Sequence, residues 1–433
     1  MDIYNLVSFA GIFVLIGFAW ILSADKKNMN WRVIGWGVGL QILIALFIFI
    51  VPAGSKLFLA VNDIVVKILD SASAGAKFVF GPLAIPPGQT SETGEESLGF
   101  ILAFQAFPTI IFFSALIAIL YYFGIMSSVI RGFAYVFTKL MRISGAESLV
   151  AASNIFVGIE STLTVKPYLS RTTGSEICTI LTAGMATVAS NVLALYVFSL
   201  KAVFPTIAGH LVSASLLSAP AALVMSKIIF PEKERPETLG MNIRPFYEKE
   251  NSLFEAIING ANAGVKMIVG IVALLIAVLG LVALVDLFLS TLGTRVLGLE
   301  AELSLKVIFG YIFYPFTIIL GVPLSDAGII SEIIGERVIV TEVVAYKDLA
   351  TALEQNLLQH PRSAVITTYA LCGFAHLASM AIFVGGVCAL APDRTRNIGK
   401  AALRALLAAT LACLLTACVA GTFFTKGSIL LGK

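Results

Sequence analysis

The chain has 433 residues, of which 58% are hydrophobic and only 13% are charged. Soluble proteins carry roughly a quarter charged residues, and a soluble particle of this length has too little interior to hide so many apolar side chains. With 29 basic and 26 acidic residues, the net charge is only +3, which does not indicate a nucleic-acid partner. Composition therefore excludes a soluble enzyme, a nucleic-acid-binding protein and a secreted module, and it predicts a polytopic membrane protein.

Apolar stretches long enough to cross a bilayer recur along the chain, since about 20 apolar residues span the hydrocarbon core. Eight spans are predicted: Leu6–Ala24, Val33–Val51, Leu98–Met126, Ile177–Leu200, Ile207–Ile229, Ala263–Leu289, Ala364–Leu390 and Ala401–Phe424. The first lacks the features of a signal peptide and is expected to be a true helix. Pro108 is expected to break the third. Lys56–Leu69 carries charges at helical spacing and is predicted to lie at the membrane interface.

Two regions are apolar enough to enter the membrane but too irregular for one continuous helix. Gly145–Leu169 contains Asn154, Glu160 and Pro167. Leu303–Tyr346 is interrupted by Pro315, Pro323, Asp326, Glu332 and Glu342. Such interruptions indicate re-entrant hairpins, and each is followed by a pair of spans, once in each half. The predicted fold class is an all-α polytopic membrane protein with about eight transmembrane helices and two re-entrant helical hairpins. An inverted-repeat transport domain is expected on a scaffold domain.

Basic residues predict the orientation of the chain. The loops after spans one, three, five and seven hold most of the lysines and arginines, so the positive-inside rule places them in the cytoplasm. Eight crossings then put both termini outside, in a multi-pass protein of the cytoplasmic (inner) membrane. Four regions are predicted: scaffold helices with the interfacial helix at 1–126, the first hairpin and its helices at 127–230, a cytoplasmic loop and scaffold helix at 231–302, and the second hairpin with the last two helices at 303–433.

The first hairpin carries candidate functional residues. An ionised carboxylate at membrane depth costs at least about 2.5 kcal/mol, so Glu160 should face a cavity, a partner or an ion. The alternative places Glu160 at a hairpin tip among lipid head groups. Asn154 and carbonyls freed at the hairpin break are hard oxygen donors suited to a small cation. Thr187 and Val188 lie in a run of small and polar residues, for which close helix packing is the alternative role.

The second half carries the other candidates. Glu342 is a second membrane-depth carboxylate, and its alternative role is an ion pair with Arg337. His376 and Ser379 are three residues apart and are expected on one helix face. The alternative for His376 is a hydrogen bond between helices. The sequence contains no metalloprotease, nucleophile-elbow or phosphate-loop motif, so these residues favour a transport site over an enzyme.

Four segments, in order, resemble the concentrative nucleoside transporter family. They are Phe104-Gln-Ala-Phe-Pro108, Asn154-Ile-Phe-Val-Gly158, Gly335-x-Arg337-x-x-x-Thr341-Glu342-Val-Val-Ala-Tyr346 and Ala370-Leu-Cys-Gly-Phe374-Ala. They are similar to the family's third helix, first hairpin, Gly-x-Lys-x-x-x-Asn-Glu signature and broken seventh helix. The resemblance implies a homotrimer, each protomer with a scaffold and a mobile transport domain. It also implies a co-transported cation, usually sodium, an elevator-like motion and no further cofactor.

Carried over by position, the resemblance implies a sodium site at Asn154, the Val157 carbonyl, Thr187 and the Val188 carbonyl. It implies a nucleoside site at Gly158, Ile159, Glu160, Val192, Glu342, Phe374, His376 and Ser379. The hairpin motif is one residue shorter than the family's, and Thr341 and His376 stand where the family has asparagines. We therefore expect cation-coupled uptake of a nucleoside or a related modified nucleoside with narrow or shifted specificity. The alternatives are proton coupling through Glu160 or His376, and a non-transporting receptor or enzyme on the same scaffold.

Overall fold

The computed structural model describes residues 2–86, 89–90, 94, 96–247, 250–295 and 303–425, and most of these residues are helical. The first ten α-helices are α1 (Ile3–Ile21), α2 (Trp31–Phe49), α3 (Pro52–Phe80), α4 (Leu102–Gln105), α5 (Phe107–Tyr122), α6 (Ile125–Met141), α7 (Gly145–Asn154), α8 (Gly174–Ala186), α9 (Ser190–Leu200) and α10 (Ile207–Ile229). The remaining seven are α11 (Leu253–Arg295), α12 (Leu305–Ile319), α13 (Leu324–Ile339), α14 (Glu342–Glu354), α15 (Pro361–Leu371), α16 (Leu377–Leu390) and α17 (Thr395–Phe423). A 3₁₀ helix, Ile159–Arg171, lies between α7 and α8.

The order of elements repeats between the two halves. Each repeat has a long helix (α5 or α11), a second helix (α6 or α12) and a hairpin, formed by α7 with the 3₁₀ helix or by α13 with α14. A broken helix follows (α8–α9 or α15–α16), and then an unbroken one (α10 or α17). Equivalent helices pack on each other, α5 against α11 and α10 against α17. The predicted all-α fold with two repeats and two hairpins is confirmed.

Six segments of the described chain are long and apolar enough to cross a membrane: α1, α2, α4–α5, α10, α11 and α17. The two broken helices supply the other two crossings, which makes the predicted eight. The boundaries differ in places. Helix α11 has 43 residues and extends well beyond Ala263–Leu289, and α3 extends beyond Lys56–Leu69 at both ends. Helix α6 was not predicted, because its basic residues indicated only a return to water.

Two predictions about where helices break were wrong in detail. The third span breaks at Ala106, and Pro108 lies in the first turn of α5, where its missing N–H would have no partner anyway. Ile177–Leu200 is not continuous, since Thr187 is extended (φ −117°, ψ 165°) and ends α8. The backbone N–H of Ser190, freed by this break, donates to a carbonyl of the first hairpin at 3.0 Å. Tertiary hydrogen bonding therefore stabilises the break.

Ala364–Leu390 is also broken, between α15 and α16. Gly373 lies in this break with φ +152°, a conformation that residues with a side chain rarely adopt. A Cβ at Gly373 would lie 2.8 Å from the carbonyl oxygen of Ala186, at the end of α8. The two breaks therefore pack directly on each other, and irregular backbone at membrane depth is tolerated because protein surrounds it.

The N-terminal helices α1 and α2 pack against α17 and α10. Buried Arg362, at the start of α15, donates to the carbonyl oxygens of Tyr4, Gly321 and Gly421, each at 2.8 Å. It also donates to the Asn5 side chain at 3.0 Å. These bonds tie α1 to the second repeat. The division of the chain at 126, 230 and 302 remains a prediction, and these contacts favour grouping α1 and α2 with the hairpin-bearing helices.

Candidate functional site

A cavity of about 770 Å³ lies between the two hairpins, the helix breaks and α11. This volume is typical of small-molecule sites, which measure roughly 300–1,000 Å³. Seven of the eight predicted substrate residues line it: Gly158, Glu160, Val192, Glu342, Phe374, His376 and Ser379. The side chain of the eighth, Ile159, lies outside the described part of the structure. Glu160 therefore faces an internal cavity, as expected for a carboxylate at membrane depth.

Glu342 begins α14 at the tip of the second hairpin and is 1% exposed. One carboxylate oxygen, Oε1, accepts a hydrogen bond from the Tyr196 hydroxyl at 2.6 Å. The other, Oε2, lies 3.0 Å from Nε2 of His376. The alternative partner, Arg337, instead donates to the carbonyl of Ala370 at 2.6 Å. Glu342 thus connects the second hairpin to both broken helices, α8–α9 through Tyr196 and α15–α16 through His376.

His376 is the N-cap of α16, and Ser379 is in its first turn. The ring nitrogen Nδ1 of His376 accepts the backbone N–H of Ser379 at 3.2 Å, and Ser379 Oγ accepts the backbone N–H of His376 at 3.3 Å. The two residues form a reciprocal capping box at the N-terminus of α16, and both line the cavity, so they lie together on one side of this helix end. Since Nδ1 is an acceptor, the proton of the neutral ring is on Nε2, which faces Glu342. The Ser379 hydroxyl donates to the His376 carbonyl at 2.8 Å.

The predicted sodium ligands lie at the first hairpin tip and at the α8–α9 break. Asn154 is the last residue of α7 and is fully buried, and its Nδ2 donates to Val150 O at 3.0 Å. Thr187 Oγ1 donates to Ala183 O at 2.9 Å, which leaves the oxygen's lone pairs available to a cation. Val157 and Val188 lie buried beside them. The described residues contain no cluster of His, Cys, Asp and Glu able to hold a metal. Amide, hydroxyl and carbonyl oxygens are the donors that a hard cation prefers.

Several buried polar atoms without a hydrogen-bond partner lie at the hairpin tips or in the helix break that faces them. They include Ser153 Oγ, Asn154 Oδ1, Thr341 Oγ1, Glu342 Oε2 and His376 Nε2. The last two approach each other to 3.0 Å but lack the alignment of a hydrogen bond. Because most buried polar groups in proteins are hydrogen-bonded, such a cluster indicates a place where ligands complete the bonding.

Two residues of this site were missed in the sequence. Tyr196 carries no sequence signal, because an aromatic residue in an apolar helix is ordinarily a packing residue. Lys266 lines the cavity from α11, opposite the hairpins, and no described residue forms an ion pair with it. A single lysine within an apolar span is itself a signal that could have identified it. Lys266 places a positive charge across the cavity from Glu160 and Glu342.

Eight spans with two re-entrant hairpins, and a cavity at the junction of two broken helices, define a secondary-transporter class of membrane protein. The chain matches three family profiles: Na⁺ dependent nucleoside transporter N-terminus over residues 10–83, nucleoside recognition (Gate) over 103–203, and Na⁺ dependent nucleoside transporter C-terminus over 210–421. The chain belongs to the Na⁺-dependent nucleoside transporter family, whose members are transporters and not enzymes.

Curated relatives agree with this assignment. Solute carrier family 28 member 3 of Mus musculus is 37% identical over 431 residues, which cover 96% of this chain and 58% of that protein. The chain therefore spans somewhat more than half the length of this relative. Sodium/nucleoside cotransporter 1 of Rattus norvegicus is 34% identical over 98% of this chain and 65% of its own length. An uncharacterized transporter of Haemophilus influenzae is 36% identical and matches over nearly its whole length, with 98% of this chain and 99% of that protein covered.

Solved structures of the transporter CNTnw share the fold. In its inward-facing, substrate-bound state it superimposes with a TM-score of 0.86 at 32% identity, covering 97% of this chain and 98% of that one. A variant in an outward-facing state gives 0.87 at 32% identity, over 98% of both chains. A variant in an intermediate state also gives 0.87, at 32% identity over 99% of this chain and 100% of that chain. The likeness therefore holds across three states of that transporter.

Proposed function

We propose that this protein is a sodium-coupled symporter that takes up a nucleoside, or a closely related modified nucleoside, across the cytoplasmic membrane. The observation that carries the proposal is the set of unpartnered buried polar atoms at the two hairpin tips around one cavity. The family and the names of the relatives supply the substrate class and the cation. The chemistry of each hairpin tip supports which ligand it binds.

The first tip suits sodium. Asn154 Oδ1, the Thr187 hydroxyl and nearby carbonyls are neutral oxygens, which hold a small hard cation without a strong requirement for charge. Asn154 and Glu160 lie on the same hairpin, so a cation that orders the tip also positions Gly158 and Glu160 at the cavity wall. A Cβ at Gly158 would lie 3.2 Å from that of Ala189, so the tip fits tightly against the α8–α9 break. Sodium binding and substrate binding are thereby coupled through one short segment.

The second tip suits a hydroxylated organic substrate. The Glu342 carboxylate accepts hydrogen bonds and the His376 Nε2–H donates one, so together they bind sugar hydroxyls. Phe374 supplies an aromatic wall, with its ring centroid 6.2 Å from that of His376. A site built from buried hydrogen-bonding groups rejects ligands that leave those groups unpaired. Because His376 and the short first hairpin alter this pattern, we propose narrow or shifted specificity within the nucleosides.

Movement and assembly complete the proposal. The inward-facing, intermediate and outward-facing structures of CNTnw support an elevator-type alternating access, in which the hairpin-bearing helices move past α5 and α11. Helix α11 exposes large apolar side chains along most of its length, including Val269, Ile276 and Leu284. Such a face suits lipid contact and the interface of a homotrimer. Both termini are placed outside, with the basic loops in the cytoplasm.

Uptake of a radiolabelled nucleoside into proteoliposomes tests the proposal. We expect an imposed sodium gradient to drive accumulation of at least one nucleoside, with unequal inhibition by a panel of common and modified nucleosides. Equal, tight inhibition by all common ribonucleosides would overturn the narrow specificity. Accumulation driven by a proton gradient alone would overturn sodium coupling, and no accumulation under either gradient would overturn transport.

A further inference from the structure

A second cavity, of about 450 Å³, lies on the side of the protein that carries the basic loops. One wall is a single face of α6, formed by residues at helical spacing: Ser128, Arg131, Gly132, Tyr135 and Thr138. The other wall is the loop segment Asn242–Arg244, which follows α10. We call this cavity the α6 pocket. It is separate from the transport cavity, because the two share no lining residue.

The α6 pocket carries uncompensated positive charge. Among the described residues, Arg131 bonds to its own helix alone, to Ser127 O and Ser128 Oγ, both at 3.3 Å, and no acidic residue of that part of the chain pairs with Arg244. The pocket lining includes no Asp or Glu. By contrast, Arg171 of the neighbouring hairpin pairs with Glu237 at 3.1 Å. Two arginines, together with the hydroxyl donors Ser128, Tyr135 and Thr138, line this one pocket, and guanidinium groups are the side chains that bind phosphate most readily.

The rest of α6 indicates how that phosphate is presented. Met126, Ile130 and Phe137 form a buried face against the protein. Ile125, Val129 and Val136 form an exposed apolar strip between the buried face and the pocket. A helix with adjoining apolar and basic faces lies in the interface of a membrane, with its apolar strip among acyl chains. A phosphate in the pocket would therefore be joined to hydrocarbon alongside it.

We propose that the α6 pocket binds the head group of an anionic glycerophospholipid from the cytoplasmic leaflet, its phosphate between Arg131 and Arg244. Its acyl chains lie along the exposed strip of α6. The side of the membrane rests on the orientation in the proposed function, whereas the binding itself does not. Gly145, the first residue of α7, also lines the pocket, and Gly240, just before the loop wall, donates to Ile143 O at 3.1 Å, so the lipid contacts both α6 and the base of the first hairpin.

Native mass spectrometry of the delipidated full chain tests this proposal, with phosphatidylglycerol and phosphatidylcholine of matched acyl chains. We expect preferential retention of phosphatidylglycerol. Since each basic residue near an anionic surface contributes about 1 kcal/mol, each of Arg131→Gln and Arg244→Gln should weaken binding about fivefold. The control is Arg396→Gln, an exposed arginine of α17 outside the pocket, which should leave retention unchanged.

Three results would overturn the proposal. They are equal retention of the two lipids, undiminished preference in the Arg131→Gln, Arg244→Gln double variant, or an equal loss in Arg396→Gln. Inorganic phosphate is also tested as a competitor of the bound lipid. If inorganic phosphate displaces the bound lipid as effectively as additional phosphatidylglycerol does, the pocket binds a soluble anion and not a lipid. None of these readouts involves uptake, so failure here leaves the transport proposal standing.

Discussion

The two hairpins have the same layout but different chemistry at their tips. The first offers the unpartnered neutral oxygen Asn154 Oδ1 together with the Glu160 carboxylate, whereas Glu342 of the second lies 3.0 Å from the ionisable His376 of the α15–α16 break. The bases of the two hairpins, at the ends opposite the tips, differ as well. The first is held by the buried Lys227 ammonium, 2.5 Å from Glu147 and 3.5 Å from Glu232. The two halves thus share a framework but present different side chains to the cavity.

The base of the second hairpin uses a carboxylate held by neutral donors. Asp326, in the first turn of α13, accepts the backbone N–H groups of Gln359 and His360, both at 3.1 Å, and the Ser363 hydroxyl at 2.6 Å. No lysine or arginine of the described chain forms an ion pair with it. A buried ion pair therefore anchors the base of the first hairpin, whereas the base of the second is held by neutral hydrogen-bond donors and its two helices by the partly exposed ion pairs of Lys306 with Glu336 and Asp348. Removing charge should therefore affect the two hairpins differently.

The largest effect is expected at the base of the first hairpin. Lys227→Met leaves the buried Glu147 carboxylate without its ammonium, and breaking a buried pair costs roughly 3–5 kcal/mol. We expect a correspondingly large fall in the thermal unfolding midpoint of the purified protein. The matched control is Lys233→Met, whose exposed ammonium pairs with Asp25 at 3.0 Å and should change the midpoint little. Equal midpoints in the two variants would contradict ion-pair anchoring.

The next largest effect, on uptake, is expected at the tip of the second hairpin. Glu342→Gln removes the charge that Tyr196 and His376 face, and charge-assisted hydrogen bonds contribute about 1.5–3 kcal/mol each. Uptake at low substrate concentration should fall at least about a hundredfold. Glu354→Gln, at the exposed end of the same helix, is the control and should transport normally. Retention of uptake in Glu342→Gln would remove Glu342 from the substrate site.

A smaller and more selective effect is expected at the first tip. Asn154→Ala removes a cation ligand but no charge, so the sodium concentration for half-maximal uptake should rise at least about tenfold. Uptake in the absence of a sodium gradient should be unaffected. The exposed Asn397→Ala serves as a control on α17. Unaltered sodium dependence in Asn154→Ala would place the cation elsewhere.

The smallest effect is expected from His376→Asn. Asparagine is a good N-cap, so α16 should keep its cap and the protein its stability, whereas His376→Leu should cost about 1 kcal/mol through loss of the cap. The preference among nucleosides should shift about tenfold in His376→Asn, because one hydrogen-bond donor is repositioned. An unchanged inhibition pattern, together with loss of stability in His376→Leu, would show that His376 only caps the helix.

The sequence predicts the spans and hairpins because these depend on local apolar runs and their interruptions. It does not predict the break after Thr187, which depends on a tertiary hydrogen bond from Ser190, nor the contact of Gly373 with Ala186. The candidate site residues came mainly from the family resemblance, and most of them line one cavity. Tyr196 could not be found, since its role exists only through a partner far along the chain.

The central claim is that the two tips form one site in which sodium and substrate bind together. Thermodynamic linkage requires each ligand to raise the affinity for the other by the same factor. We therefore propose to measure nucleoside affinity of the purified protein by calorimetry, with and without sodium, and sodium affinity with and without nucleoside. We expect equal enhancement in both directions, and we expect Asn154→Ala to abolish it while leaving the sodium-free nucleoside affinity intact. Nucleoside affinity that is indifferent to sodium in the unaltered protein would contradict it.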